Sequence, residues 1–278
     1  MRLGGKIFKS HNDPDSWIAA VKDMGWTAAY CPVGDQADDA TVRTYEQAAR
    51  DADIVIAEVG AFGNNPVSPD ESIRKESLEK CKARLALADR IGARCCVNCS
   101  GSRGESWAGH HRDNLTDDTF ALIVESCREI IDAVNPTRTV YTLETMPWLY
   151  PDSADDYLRL IQAIDRDGFG VHFDPVNIVC SPQVYFDNTA FLRDCFAKLG
   201  PYIKSCHAKD IRLEDGLTVH LSECRPGTGH LDYRTFLREL AKLDADMPLM
   251  LEHMTEESDY RAGAEHIRAV AVEERIAI

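Results

Sequence analysis

Short apolar runs alternate with longer amphipathic stretches along the whole chain. Four of the runs end in a residue able to bind a metal: Val140-Tyr141-Thr142-Leu143-Glu144, Gly170-Val171-His172-Phe173-Asp174, Lys204-Ser205-Cys206-His207 and Pro248-Leu249-Met250-Leu251-Glu252. Each has the length and flanking turn residues of a buried strand. Successive side chains of a strand point to opposite faces. Tyr141 and Leu143, Val171 and Phe173, Cys206 and Ala208, and Leu249 and Leu251 therefore make one greasy face. The other face carries Thr142 with Glu144, His172 with Asp174, Ser205 with His207 and Met250 with Glu252.

The same pattern predicts four earlier strands, at residues 3–8, 27–31, 54–59 and 95–99. Helices are expected at 13–24, 38–50, 72–91, from 115 or 116 to 134, and at 189–199, 232–243 and 257–272. One more follows Ser153, which with Asp156 resembles a capping box. The helix at 72–91 spaces Leu78, Cys81, Leu85 and Ala88 at three- and four-residue steps, as a buried stripe requires. Three segments are too long for simple connections: 100–114, 175–187 and a charged excursion at 211–230 with room for a hairpin.

Eight strands alternating with eight helices, with no composition break and no repeat, predict an α/β fold. The expectation is one domain over residues 1–278, a (β/α)8 TIM barrel. Its outward strand residues meet helices and must be apolar. Its inward residues near the C-terminal strand ends form the floor of the site. The alternative, an open doubly wound sheet, buries both faces and leaves no place for four ionisable residues on one of them. A Gly-x-Gly-x-x-Gly after the first strand is also missing.

Composition narrows the function. An apolar content of 44% suffices for a core, and no run of about 18 apolar residues is present. The first residues lack the apolar centre of a signal peptide, so the expected location is cytoplasmic, with no membrane partner. A formal net charge of −15 disfavours nucleic acid, whose phosphates need a basic footprint. The ten cysteines are scattered, and Cys96 and Cys99 form a Cys-x-x-Cys with no second pair. Thiols acting as small hydrophobes are expected rather than a zinc or disulfide site.

In a closed barrel Glu144, Asp174, His207 and Glu252 converge. Three carboxylates packed together repel one another, and a divalent cation relieves that conflict. Oxygen-rich ligation with one imidazole suits Mn²⁺ first, with Mg²⁺, Co²⁺ or Zn²⁺ as alternatives. His172, one layer deeper than Asp174, is expected in a core hydrogen bond.

At these residues the chain resembles the xylose isomerase-like barrels, the sugar phosphate isomerase/epimerase group with ketose 3-epimerases and inosose dehydratases. The resemblance rests on Leu143-Glu144, Phe173-Asp174-Pro175-Val176-Asn177, Cys206-His207-Ala208-Lys209-Asp210, the segment from Pro226 to Asp232, and Leu251-Glu252. It implies one metal bound by Glu144, Asp174, His207 and Glu252, with Glu144 and Glu252 doubling as acid/base groups on a keto-sugar or polyol. The ion holds a carbonyl and a neighbouring hydroxyl, one glutamate removes the proton between them, and the other returns one to the cis-enediolate. The result is epimerisation or isomerisation. A leaving group on the next carbon turns the same chemistry into a dehydratase or lyase reaction on a keto-sugar, keto-glycoside or inosose. A non-catalytic barrel subunit of a larger enzyme is a further alternative. Asn177, Lys209, Arg225, His110 and Trp107 are the expected substrate-binding residues; for Lys209 the competing role is an ion pair with Asp210. The resemblance also implies a carbohydrate substrate and a homo-oligomer, dimer or tetramer.

Metal-dependent abasic-site endonucleases share this fold and look like members with extra histidines. This chain departs from them at Asn177 and Phe62, where histidines are expected, and no Asp-x-His follows His207. Asn177 also departs from the ketose epimerases.

Overall fold

The apolar runs become parallel strands, and their outward residues join the helices in one continuous core. In the computed structural model, which describes residues 1–278, eight strands close a barrel. They are β1 (Arg2–Gly5), β2 (Ala28–Tyr30), β3 (Val55–Gly60), β4 (Cys95–Asn98), β5 (Tyr141–Glu144), β6 (Phe169–Phe173), β7 (Ile203–Ala208) and β10 (Pro248–Leu251). Strand β10 pairs with both β7 and β1, which completes the circle. An antiparallel hairpin, β8 (Asp210–Leu213) and β9 (Leu221–Cys224), stands between β7 and β10 in the chain and outside the barrel. The architecture is a (β/α)8 TIM barrel, and all eight outward residues of the greasy face lie in its main core.

Nine helices surround it: α1 (Pro14–Asp23), α2 (Asp39–Asp51), α3 (Glu71–Ile91), α4 (Asp117–Val134), α5 (Ala154–Ile164), α6 (Pro182–Phe186), α7 (Asn188–Leu199), α8 (Tyr233–Leu240) and α9 (Glu257–Glu274). Short side chains start most of them. Asp13, Asp38, Asp70, Thr116, Ser153, Ser181 and Asp232 each accept from a backbone N–H in the first turn, where no intrahelical partner exists. Gly92 ends α3 in the left-handed region, at φ 72°, as glycine does without strain. No helix is long and apolar enough to cross a membrane, and all ten cysteines are free thiols.

Three expectations shift. The first strand ends at Gly5 rather than at residue 8, and Ile7 and Phe8 instead pack half-buried against the core. The 175–187 segment is not simple loop: a 3₁₀ turn, Val176–Ile178, precedes α6, making nine helices where eight were expected. Strand β3 carries a bulge. Ala29 pairs with Ile56 but Tyr30 pairs with Glu58, so Ala57 is an extra residue. Strict alternation puts Glu58 on the same face as Ile56, among the helices; the bulge turns it into the barrel.

Inside the barrel, Ala28, Ala57 and Met250 form a small apolar plug. Gly4 makes room for it. A Cβ there meets the Ala28 carbonyl oxygen at 2.5 Å and the Met250 Sδ at 2.6 Å. Overpacking of this kind costs about 1–3 kcal/mol, so Gly4→Ala lowers the urea midpoint measurably. An unchanged midpoint refutes this account of the plug.

Candidate metal centre and active-site cavity

The closing order β5–β6–β7–β10 makes four neighbouring strand ends deliver four side chains to one place. Glu144 ends β5, Asp174 follows β6, His207 is the penultimate residue of β7 and Glu252 follows β10. One potential ligand atom from each lies within 4.8 Å of all the others. The His207 Nδ1 is 3.1 Å from the Glu144 Oε1, 3.1 Å from the Glu252 Oε1 and 3.8 Å from the Asp174 Oδ2.

Lys209 shares the inward face of His207 and is 1% exposed. Its Nζ is 2.7 Å from the Asp174 Oδ2, 2.9 Å from the Glu252 Oε1 and 3.0 Å from the Glu223 Oε1, and it donates to the Asn177 Oδ1 at 2.8 Å. The ion pair with Asp210 does not form. Asp210 points the other way and accepts backbone N–H bonds from Ile211, Gly227, Gly229 and Leu231. Asn177 joins the group, donating its Nδ2 to the Glu144 Oε1 at 3.2 Å.

Burial and charge pull the ionisable groups in different directions. Burial raises the Asp174 carboxyl, and with Glu252 and Glu144 adding to this against Lys209 it is pushed up to about 6. Burial also raises Glu252, but the His207 and Lys209 charges outweigh it and hold that carboxyl well below the ordinary range. Burial lowers the His207 imidazole, yet Glu252, Glu58 and Glu144 together push it well above its ordinary value. A ligating imidazole is neutral at the ligating nitrogen, so a cation bound here displaces that proton.

Glu58 is the site residue that alternation along β3 hides. Its Oε1 is 2.9 Å from the His172 Nε2 and accepts from the Ser205 hydroxyl. Its Oε2 is 3.4 Å from the His207 Nε2. The carboxylate thus lies beneath His207, on the side opposite the quartet, and His172 has the core hydrogen bond expected of it. Burial raises the Glu58 carboxyl, but His172 and His207 outweigh it and hold it far below the ordinary range. A proton on the His207 Nε2 directed at Glu58 leaves Nδ1 as the free lone pair facing Glu144, Asp174 and Glu252.

Above the quartet lies a cavity of about 880 Å³. Glu144 and Glu252 line it, as do Asn177 and Trp107; Asp174 and His207 do not. Trp107 packs edge-on against Phe62, their ring centroids 6.3 Å apart. His110 is outside the lining and lies instead against the Trp148 ring. Arg225 is also outside it. It faces a smaller side cavity of about 270 Å³ that shares Glu223, Glu252 and His253 with the main one and is also lined by Lys209, and its Nε is 3.6 Å from the Asp259 carboxylate. Two of the hydrogen-bonding liners were not anticipated from sequence. Glu223 arrives on β9, and His253, in the left-handed region at φ 57°, holds it through an Nδ1–Oε2 contact of 2.8 Å.

The residues present fit a divalent cation. The buried Asp174 Oδ2 and Glu252 Oε1 have no directed hydrogen-bond partner, although Lys209 is within ion-pair range of both. Three carboxylates and one imidazole make a hard-to-borderline donor set. Partners behind a ligating histidine typically contribute about 10–100-fold in metal affinity. Glu58→Gln is therefore expected to weaken Mn²⁺ binding by that factor in calorimetry, with an unchanged circular dichroism spectrum. Wild-type affinity in this variant removes Glu58 from the site.

A family model described as xylose isomerase-like TIM barrel matches residues 18–270. No curated protein matches significantly by sequence. Among solved structures, a xylose isomerase-like TIM barrel protein from Mycobacterium smegmatis in complex with magnesium is similar at 17% identity and TM-score 0.68, covering 95% of this chain and 90% of that one. A D-psicose 3-epimerase from Clostridium cellulolyticum, solved with D-tagatose, is similar at 15% identity and TM-score 0.67, covering 97% and 99%. Endonuclease IV from Thermus thermophilus is similar at 14% identity and TM-score 0.75, covering 98% and 100%. At these identities the structural likeness speaks for the fold and does not separate an epimerase from an endonuclease. The family match extends over nearly the whole barrel, and the chain belongs to the xylose isomerase-like TIM barrel family.

Proposed function

We propose that this protein is a divalent-metal-dependent isomerase or epimerase of a keto-sugar or polyol, with Glu144 and Glu252 as its proton-transfer pair. One observation carries the reading: of the four converging residues, the two glutamates line the cavity while Asp174 and His207 are sealed beneath it. Glu144, Asp174, His207 and Glu252 are the residues that would hold the ion, with Mn²⁺ favoured by the donor set. When bound, such an ion supplies Lewis acidity to a carbonyl and its neighbouring hydroxyl, which acidifies the C–H between them.

The chain's own residues do the rest. One glutamate takes the carbon-bound proton, and the other delivers a proton to the opposite face or to the neighbouring carbon. Asn177 orients the Glu144 carboxylate through its Nδ2 and is itself held by Lys209 through its Oδ1. Lys209 keeps Asp174, Glu252 and Glu223 in position. Phe62, Trp107 and Trp148 supply apolar walls to the cavity above the quartet. The acidic net charge favours a sugar over nucleic acid as the partner. A lyase reading is second, favoured by the room the cavity leaves for a departing group.

General acid–base groups typically contribute about 10²–10⁴-fold. At saturating Mn²⁺, Glu144→Gln and Glu252→Gln are each expected to lose at least about a hundredfold in turnover while still loading metal. Asp174→Asn, with no proton to carry, is expected to lose metal affinity instead. Recovery of near wild-type turnover by either glutamate variant at high metal reduces that residue to a ligand. In D₂O, solvent deuterium is expected at the reacting carbon of the recovered keto-sugar. Exchange that persists at full rate in EDTA excludes the metal from the reaction.

A further inference from the structure

The cavity is much more apolar than a bare sugar needs. Twelve of its eighteen lining residues are hydrophobic. The liners that hydrogen-bond strongly, Glu144, Asn177, Glu223, Glu252 and His253, are not spread around it. Lys209 ties Asn177, Glu223 and Glu252 together, Asn177 reaches Glu144, and His253 holds Glu223, so they form one patch at the floor. A sugar ring carries hydroxyls on most of its carbons, and the charged and amide groups able to pair with them are gathered in this patch. Hydroxyls placed against the remaining walls lose hydrogen bonds to water without replacement.

Those walls are aromatic and aliphatic, and they come from separate excursions of the chain. Phe62 follows β3, Trp107 lies on the loop after β4, Trp148 follows β5, and Val219 and Leu221 belong to the β8–β9 hairpin. The Trp148 indole N–H donates to the Ala108 carbonyl at 2.9 Å, which locks two of these excursions together. Independently, large apolar side chains are left in water at the same mouth: Phe62 and Trp148 are each 41% exposed and Val219 is 53% exposed. Exposed apolar groups that rim a cavity with a polar floor mark a site for a ligand with a polar end and an apolar end. A volume of about 880 Å³ lies in the upper part of the range that takes drug-sized molecules.

We propose that the substrate is a sugar carrying an apolar, aryl-sized substituent, with its sugar ring on the polar floor and the substituent between Trp107, Trp148 and Phe62. This deepens the proposed function and rests on it for the sugar half. A substituent on the anomeric oxygen locks that carbon, so the carbonyl used in the reaction then lies elsewhere on the ring. The substituent's burial, rather than more hydroxyl contacts, supplies the discrimination against free sugars.

The test uses the Mn²⁺-loaded full chain and matched pairs of phenyl and methyl glycosides in gluco, galacto and manno configuration, with phenol as a control. Binding is read by tryptophan fluorescence and by calorimetry. Burying an aromatic ring is expected to make at least one phenyl glycoside bind about tenfold or more tightly than its methyl partner and than phenol. Trp148→Ala and Phe62→Ser, both at partly exposed positions, are each expected to cut that preference below about threefold. Equal binding of phenyl and methyl partners, or no binding by any pair, overturns the proposal, and so does a preference that both variants leave intact. Equal binding is also the outcome if a second copy of the chain covers the rim. Deuterium exchange into free keto-sugars alongside equal binding means that this inference fails and the proposed function stands. Phenol binding as tightly as every phenyl glycoside, with no such exchange, means that the sugar reading itself fails.

Discussion

Everything at the mouth of this barrel follows from burying like charges side by side. The carboxylates of Glu58, Glu144 and Asp174 are buried, and the Glu252 side chain is only 13% exposed. Ionised carboxylates out of water are costly unless paired and hydrogen-bonded. No flexible surface can hold four of them within reach of one imidazole. A closed ring of parallel strands can, because its backbone hydrogen bonds fix every strand end on one rim. The protein's own cations, Lys209 and a protonated His207, answer part of the charge. They leave two buried carboxylate oxygens without a directed partner, and that residual demand is what makes a bound cation the natural completion of the site.

The Gly227–Gly229 turn serves this arrangement from outside the barrel. Asp210 accepts N–H bonds from Ile211, Gly227, Gly229 and Leu231, which clamps the start of the hairpin to its end. A Cβ at Gly229 meets the Asp210 carboxylate at 2.3 Å, so the clamp needs glycine there. With the hairpin fixed, Glu223 is presented to Lys209 and His253 over the floor of the cavity. A segment conspicuous in sequence for resembling a family motif thus acts by positioning rather than by touching the metal quartet. It also sets one apolar wall, since Val219 and Leu221 travel with Glu223.

The barrel and its inward quartet were legible because alternation along short strands is unambiguous when one face is wholly apolar. The same alternation does not reveal Glu58. One extra residue in β3, Ala57, reverses the parity that the sequence implies, and nothing in Val55-Ile56-Ala57-Glu58-Val59 signals a bulge. Glu223 and His253 escaped for another reason: the hairpin that carries Glu223 stands outside the barrel, so barrel alternation says nothing of its faces, and a left-handed histidine is invisible in a string of letters. The Lys209–Asp210 pair was already excluded by the rule that found the quartet. Neighbours on an extended strand point apart, so Lys209 turns in to the carboxylates and Asp210 turns out to the glycines. His110 and Arg225 were assigned by loop position alone, and loop position does not determine which way a side chain faces.

The surroundings of the two glutamates are not equivalent. His207 is equidistant from both, at 3.1 Å. Lys209 breaks the symmetry, because its ammonium touches Glu252 at 2.9 Å while Glu144 has in its place the neutral amide of Asn177 at 3.2 Å. A cation in contact favours the charged form of a carboxyl, and an amide donor does so more weakly. On the proposed function, Glu252 is therefore the carboxylate held ready to accept a substrate proton, an asymmetry built by one lysine that is not among the four converging residues.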